Sequence, residues 1–171
     1  RFLRRLDAVD TATVYPFLLY AYAELMPSNQ AEFDRVLAVL ESFLMRRLIT
    51  NYPSKNYNRL FVDLIKAVEK GGELTAKAVA EHLGKGVGES TKFPTDNDLI
   101  TAVFEQPLYG RIAQYKVHAV LEALDAASQS VKSPVLNLTE KLTIEHVMPQ
   151  TWKTYWSLPA DVTIDPIAEQ K

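Results

Sequence analysis

Apolar residues recur every three or four positions along most of the chain, the spacing that gathers them on one face of an α-helix. The strongest pattern lies between residues 33 and 48 and comprises Phe33, Val36, Leu37, Leu40, Phe43, Leu44 and Leu48. Asn29 with Glu32 three residues later predicts the N-terminal cap of this helix. Cationic Arg46 and Arg47 suit the negative end of its dipole, before Asn51-Tyr52-Pro53 ends it.

Five further helices are predicted around this one. Thr13 can cap a helix that carries Pro16 in its first turn and stays apolar on nearly every face until Glu24. The other four run from about Asn56 to Gly71-Gly72, from Thr75 to about Gly84, from Thr95 to Pro107, and from about Arg111 to Ser128. Residues 84–92 hold three glycines and predict an exposed loop. The fold class is therefore mainly α, a bundle of about six helices.

Two of these helices have a predicted inward face. In the helix after Thr95 and in the helix from about Arg111, apolar residues keep helical spacing and are expected to face the core. They are Leu99, Ile100, Val103 and Phe104 in the first, and Ala113, Val117, Val120, Leu121 and Leu124 in the second.

The pattern changes after Ser133-Pro134. Between Leu142 and Met148, Leu, Ile, His and Met alternate with Thr, Glu and Val at a period of two, which predicts a short strand that Pro149 closes. The sequence thus predicts two domains, a helical bundle over residues 1–132 and a second, differently built region over residues 133–171.

Composition narrows the function classes. Of the 171 residues, 47% are hydrophobic and 23% charged, which is typical of a globular protein with a substantial core. The formal charge is -2, so any contact with nucleic acid has to be local. The chain has no cysteine, which excludes disulfides and thiolate metal sites. It starts with Arg1 and no signal-peptide pattern, so we expect it to begin inside a longer protein.

Glu145 and His146 are the first candidates for chemistry. A neutral imidazole can take a proton from water, and a carboxylate can ligate a hard divalent ion. Neighbouring residues of a regular strand point to opposite faces, so the pair can form one site only if the chain leaves strand geometry here. The alternative is a purely structural Glu-His pair near the end of a strand.

The stretch Ile144-Glu145-His146-Val147-Met148-Pro149-Gln150 resembles the opening of the HNH, or ββα-metal, nuclease motif, in which an acid-His pair precedes proline. With the helical part, the chain resembles the C-terminal portion of GmrSD-type modification-dependent restriction endonucleases. Besides that stretch, the matching segments are Glu41 to Arg47, Tyr57-Asn58-Arg59-Leu60-Phe61, and Phe93-Pro94-Thr95-Asp96 with Tyr109 downstream.

The resemblance implies a DNA endonuclease in a bacterial cytoplasm that restricts foreign, and in some cases modified, phage DNA. It implies Mg²⁺ or another divalent metal, with Glu145 as a ligand and His146 as general base, and a ParB-like nucleotide-hydrolysing domain in the same protein or complex. The family's further Asn or His ligands are absent, because residues 147–171 contain neither residue type. We therefore hypothesise that residues 133–171 are a truncated HNH-like domain, inactive alone.

Other cations and histidines carry weaker signals. Arg46, Arg47, Lys55 and Arg59 can contact phosphate, with Tyr52 and Tyr57 stacking on bases; alternatively they stabilise the helix end and cover the core. His82 and His118 are interpreted as ordinary helix-end or surface residues. The segment from Thr75 to Gly84 imitates half of a helix-turn-helix, but a loop follows where a recognition helix should stand. A non-enzymatic helical module that binds protein or nucleic acid remains the alternative function.

Overall fold

The computed structural model describes residues 2–130, 142–145 and 151–155. The chain forms two compact units, Arg1–Leu124 and Asp125–Lys171. The described residues contain eight α-helices: α1 (Phe2–Val9), α2 (Tyr15–Leu25), α3 (Gln30–Ile49), α4 (Tyr57–Gly71), α5 (Ala76–Gly84), α6 (Asp96–Glu105), α7 (Gln114–Ser128) and α8 (Trp152–Tyr155). The mainly helical fold is confirmed.

Polar caps set three of the predicted helix starts. The side chains of Asn29, Thr75 and Thr95 accept backbone amide bonds from the first turns of α3, α5 and α6, as their sequence positions predict. α4 ends at Gly72, whose φ of 79° is the left-handed conformation that favours glycine. Thr13 is not a cap, because a 3₁₀ turn at Ala12–Val14 leads directly into α2.

Helix α1 is not predicted by the sequence pattern. Its three buried residues, Phe2, Leu6 and Val9, have helical spacing, but the helix is only eight residues long. A helix of two turns without a capping residue is too short to be identified from periodicity alone. α1 packs against α3, and the guanidinium of Arg5 forms an ion pair with Glu41 there.

The core of the first unit lies where α2, α3, α4 and α5 meet. Val14, Phe17, Val36, Leu40 and Phe43 are completely buried there, with Leu64, Val79 and Leu83 from the later helices. Glu32 of α3 adds a polar tie, because its carboxylate accepts the amide of Ala76 at 2.7 Å. This bond caps the first turn of α5 from a neighbouring helix and lowers the pKa of Glu32.

The predicted inward faces of α6 and α7 are only partly right. Ala102 is the buried residue of α6, whereas Ile100, Val103 and Phe104 are exposed, Phe104 by 72%. In α7, Val117 and Val120 are buried as predicted, but Leu121 and Leu124 are exposed. Periodicity identifies an apolar face, but it does not determine whether a neighbouring element covers that face.

The predicted strand around the acid-His pair is not found in its described part. Residues 142–145 have no regular secondary structure, and residues 146–150 lie outside the described residues. The predicted domain boundary between residues 132 and 133 also lies outside them, so the two-domain division stays a prediction. Among the described helices, none combines the length and apolar character needed to cross a membrane.

We expect Leu40→Ala to lower the free energy of unfolding by about 2–5 kcal/mol, because it removes buried methyl groups and leaves a cavity. Leu19→Ala is the matched control, since Leu19 also lies within a helix but is 69% exposed. Urea unfolding followed by circular dichroism measures both variants. Equal midpoints for the two would contradict the described core.

Candidate functional site

Glu145, the candidate metal ligand, is exposed and lies in irregular backbone. The hydroxyl of Thr143 donates a hydrogen bond of 3.2 Å to its carboxylate. Residues 142–145 are not in a regular strand, so the alternation of side chains in a strand does not apply to Glu145. The candidate base His146 lies outside the described residues, so the geometry of the pair is not established.

A complete metal site is not visible in the part of the chain that the structure describes. No group of three or more His, Asp or Glu side chains there is arranged to hold an ion. A hard divalent ion typically needs several oxygen ligands, and Glu145 would supply one. His118, interpreted as an ordinary surface residue, lies 3.5 Å from Glu122 one turn along α7.

Arg47, one of the candidate phosphate contacts, is instead in the protein interior, with only 1% of its surface exposed. Its guanidinium donates to the hydroxyl of Tyr57 and to the carbonyl oxygens of Pro53, Glu89 and Lys92, at 2.7–2.8 Å. These bonds occupy donors on all three guanidinium nitrogens. Arg47 therefore matches the structural alternative, since a phosphate cannot reach it in this conformation.

Aromatic rings complete the surroundings of Arg47. The guanidinium carbon lies 5.3, 5.6 and 5.1 Å from the ring centroids of Phe43, Tyr52 and Tyr57. The negative faces of aromatic rings attract cations, so the rings help to offset the loss of water around the charge. Tyr57 is itself buried, which raises its pKa and removes it as a stacking platform for a base. We call Phe43, Arg47, Tyr52 and Tyr57 the Arg47 cluster.

Arg46 binds the beginning of α6. Its guanidinium lies 2.6 Å from the carboxylate of Asp96 and donates to the carbonyl of Pro94 at 3.2 Å. Phe93 packs edge-on against Phe43 with 5.3 Å between ring centroids. The last turn of α3 therefore positions residues 93–96 by an ion pair, a backbone bond and a ring contact.

Asp98 fixes the same segment from inside α6. Its carboxylate accepts a bond from the ammonium of Lys92 at 2.7 Å, and from the amide and hydroxyl of Thr95 at the same distance. The bond from Lys92 is the largest cause that lowers the pKa of Asp98 to about 2, followed by the bonds from Thr95. The same contact raises the pKa of Lys92.

Arg59 and Lys55 are the candidate cations that remain exposed to a ligand. Arg59 is 84% exposed and lies 3.5 Å from Asp63 in a loose ion pair one turn along α4. Lys55 is exposed in the loop before α4. Arg59 also lines a cleft that includes His82 and Lys85 of the α5 end. Sequence periodicity could not associate these residues, because they come from separate segments of the chain.

The conformation of the loop that lines this cleft depends on Gly86. A Cβ atom at Gly86 would lie 2.1 Å from the carbonyl oxygen of Thr91, too close for any other residue without moving the backbone. Residues 86–91 can therefore fold back on themselves, which places Val87 and Thr91 beside Arg59. Burial is the largest cause that lowers the pKa of His82, and the positive charge of Lys85 adds to it.

Residues 93–170 match the sequence model of a known family, described as GmrSD restriction endonucleases, C-terminal domain. The match contains α6, α7 and the acid-His pair, and it confirms the resemblance for that part of the chain. The segments at residues 41–47 and 57–61, which also suggested the resemblance, precede the matched region. Comparisons with curated proteins and with solved structures gave no match.

We expect Arg47→Met to lower the free energy of unfolding by about 3–5 kcal/mol, because buried carbonyl groups lose their donor. Arg47→Lys should also destabilise the protein, since a single ammonium cannot replace the planar fork of donors. Urea unfolding measures the loss, and hydrogen exchange at the amide of Lys92 reports on the loop. A wild-type midpoint for Arg47→Lys would show that charge alone is sufficient.

We expect the stabilising effect of Asp98 to disappear in acid. Its folded pKa of about 2 lies below the usual value of about 3.9, so the contribution is complete above pH 4 and is lost as the pH falls towards 2. The difference in melting temperature between wild type and Asp98→Asn should shrink over this range. In Lys92→Gln, NMR titration should find the Asp98 pKa closer to its usual value; an unchanged pKa would contradict the assigned cause.

Proposed function

We propose that this chain, whose residues 93–170 carry the C-terminal domain of the GmrSD restriction endonucleases, is part of a metal-dependent DNA endonuclease of the HNH type. The family match is the observation that carries the proposal. It contains Glu145, His146, Pro149 and Gln150, the residues that resemble the opening of the nuclease motif. The reaction is hydrolysis of a DNA phosphodiester bond.

His146 acts in this proposal as the general base that removes a proton from the attacking water. Histidine has a reference pKa of about 6.5, so a large part of it is already neutral and able to accept a proton at pH 7. The neighbouring Glu145 is exposed, as a residue that meets a large substrate such as DNA has to be.

A carboxylate oxygen such as that of Glu145 fits a hard divalent ion, for which Mg²⁺ is the simplest candidate. Such an ion, when bound, supplies positive charge that stabilises the leaving oxygen. Further Asn or His ligands are needed, and residues 147–171 provide none. We therefore expect the 171-residue chain alone to be inactive and the full-length protein that contains it to be active.

The biological role that we propose is restriction of foreign or modified DNA in a bacterial cytoplasm, together with a ParB-like nucleotide-hydrolysing domain in the same protein or complex. The family description supports restriction, while the partner domain follows from the resemblance alone. In this role the first unit serves as a scaffold, and its well-packed core and capped helices suit that task.

The exposed apolar face of α6 favours a second candidate, a helical interaction module. Ile100 lies one helical turn before Val103 and Phe104, and the three side chains are 54%, 47% and 72% exposed. Apolar surface gathered in this way is typical of a region that binds another protein surface. In that case Glu145 and His146 would be structural.

Cleavage of DNA by the full-length protein in the presence of Mg²⁺ tests the first candidate. We expect His146→Ala to lower the cleavage rate by about 10²–10⁴-fold, the usual contribution of general acid–base catalysis. His118→Ala is the matched control, because this histidine lies in α7 and pairs with Glu122, and it should cleave at close to the wild-type rate.

If His146→Ala cleaves DNA as fast as His118→Ala, His146 is structural and the interaction module becomes the better account. Plasmid cleavage by the 171-residue chain alone, lost in His146→Ala, would support the nuclease but contradict the expected need for further ligands.

A further inference from the structure

A cleft lies between α4, the end of α5 and the loop that follows α5. Its cavity of about 380 Å³ is lined by Asn56, Arg59, Leu60, Asp63, His82, Lys85, Gly86, Val87 and Thr91. An adjoining cavity of about 310 Å³ shares His82 and Lys85 with it. The first volume is within the range of pockets that hold small organic molecules, and it is larger than a single phosphate group needs.

Charge distinguishes the two cavities. The first brings together the cations Arg59 and Lys85 against one carboxylate, Asp63. The second has Lys85 against Glu73 and Glu81. An anion is therefore favoured in the first cavity and disfavoured in the second. Asp63 offsets Arg59 only in part, because the side chains are 84% and 47% exposed and solvent weakens the attraction between them.

The first cavity also offers uncharged donors. Asn56 precedes the first turn of α4, makes no side-chain cap there and lines the cleft. The N-terminus of this 15-residue helix adds positive partial charge at the same place. His82 lines both cavities and can donate through its ring. Cations, a neutral amide and a helix N-terminus together match the donors that proteins present to phosphate.

Apolar groups form the remaining wall. Leu60, which is buried, and Val87, which is 82% exposed, both line the cleft. A sugar or a base next to a bound phosphate can pack against such groups, which a free phosphate ion cannot use. The cleft is open to solvent, so a phosphate bound there can belong to a continuous DNA strand.

We propose that this cleft binds a backbone phosphate of a DNA strand, with Arg59 and Lys85 as the principal contacts. The proposal rests on the proposed action on DNA and adds a binding surface outside the acid-His pair. Arg46 and Arg47, which sequence reasoning grouped with Arg59, have internal structural partners instead.

Fluorescence anisotropy with a short labelled DNA duplex tests the proposal, in EDTA so that binding is measured without cleavage. For the double variant Arg59→Gln/Lys85→Gln, we expect the Kd to rise about tenfold. The slope of log K against log salt should become shallower by about 1, since the cleft is proposed to contact one phosphate and each phosphate contact contributes about one. The matched control is Lys66→Gln/Lys77→Gln, which removes the same charge from exposed positions of α4 and α5 outside the cleft.

A weaker Kd in the cleft variant alone supports the proposal. Equal weakening in both variants would assign binding to overall charge, and no weakening in either would place it elsewhere; both results overturn the proposal. Inorganic phosphate serves as a second probe. If phosphate alone binds as tightly as DNA and only the cleft variant loses it, the ligand is a free phosphate compound and the DNA assignment is wrong.

These outcomes are separate from those of the cleavage test. Loss of cleavage in His146→Ala with unchanged DNA binding supports the nuclease, and weaker DNA binding in Arg59→Gln/Lys85→Gln alone supports the cleft. If the full-length protein binds DNA through the cleft but does not cleave it, the nuclease proposal is wrong and the cleft proposal stands.

Discussion

The buried charge of Arg47 is the constraint on which the described end of the bundle depends. A guanidinium can leave water only if its donors are satisfied, and here they bond to a tyrosine hydroxyl and three carbonyl groups. Those carbonyls belong to two loops, one before α4 and one before α6. A single side chain of α3 therefore fixes the course of both loops, and neither loop can move without exposing an unpaired buried group.

The segments that suggested the family resemblance meet at this point. Phe43 and Arg47 come from the first, Tyr57 from the second, and Phe93 from the third, and the contacts between them are direct. Only the third segment lies within the matched region 93–170. Its start packs on α3 through the ring contact of Phe93 with Phe43 and the bonds of Arg46 to Pro94 and Asp96. The beginning of the matched region is therefore integrated into the helical unit, and a boundary drawn at Phe93 would cut through a shared core.

Much of the helical fold is predictable because caps and periodicity are local. Asn29, Thr75 and Thr95 each determine a helix start through bonds to amides three residues away. Burial depends on distant neighbours, so the exposure of Phe104 and the burial of Arg47 escaped prediction. The cleft escaped for the same reason, since Arg59, Lys85 and Val87 carry no motif. For the acid-His pair, the sequence motif identifies the residues, and the described structure adds only that Glu145 is exposed.

The position of Arg47 also changes the meaning of the net charge. The formal value of -2 counts every arginine equally, but the positive charge of Arg47 is buried. The charge presented to solvent is therefore more negative than the sequence total, which opposes non-specific association with DNA. A protein of this kind can hold DNA only where cations are concentrated against few carboxylates. The cleft between α4 and α5 meets that condition, because it has Arg59 and Lys85 against the single carboxylate of Asp63. The adjoining cavity does not, because it has Lys85 against Glu73 and Glu81.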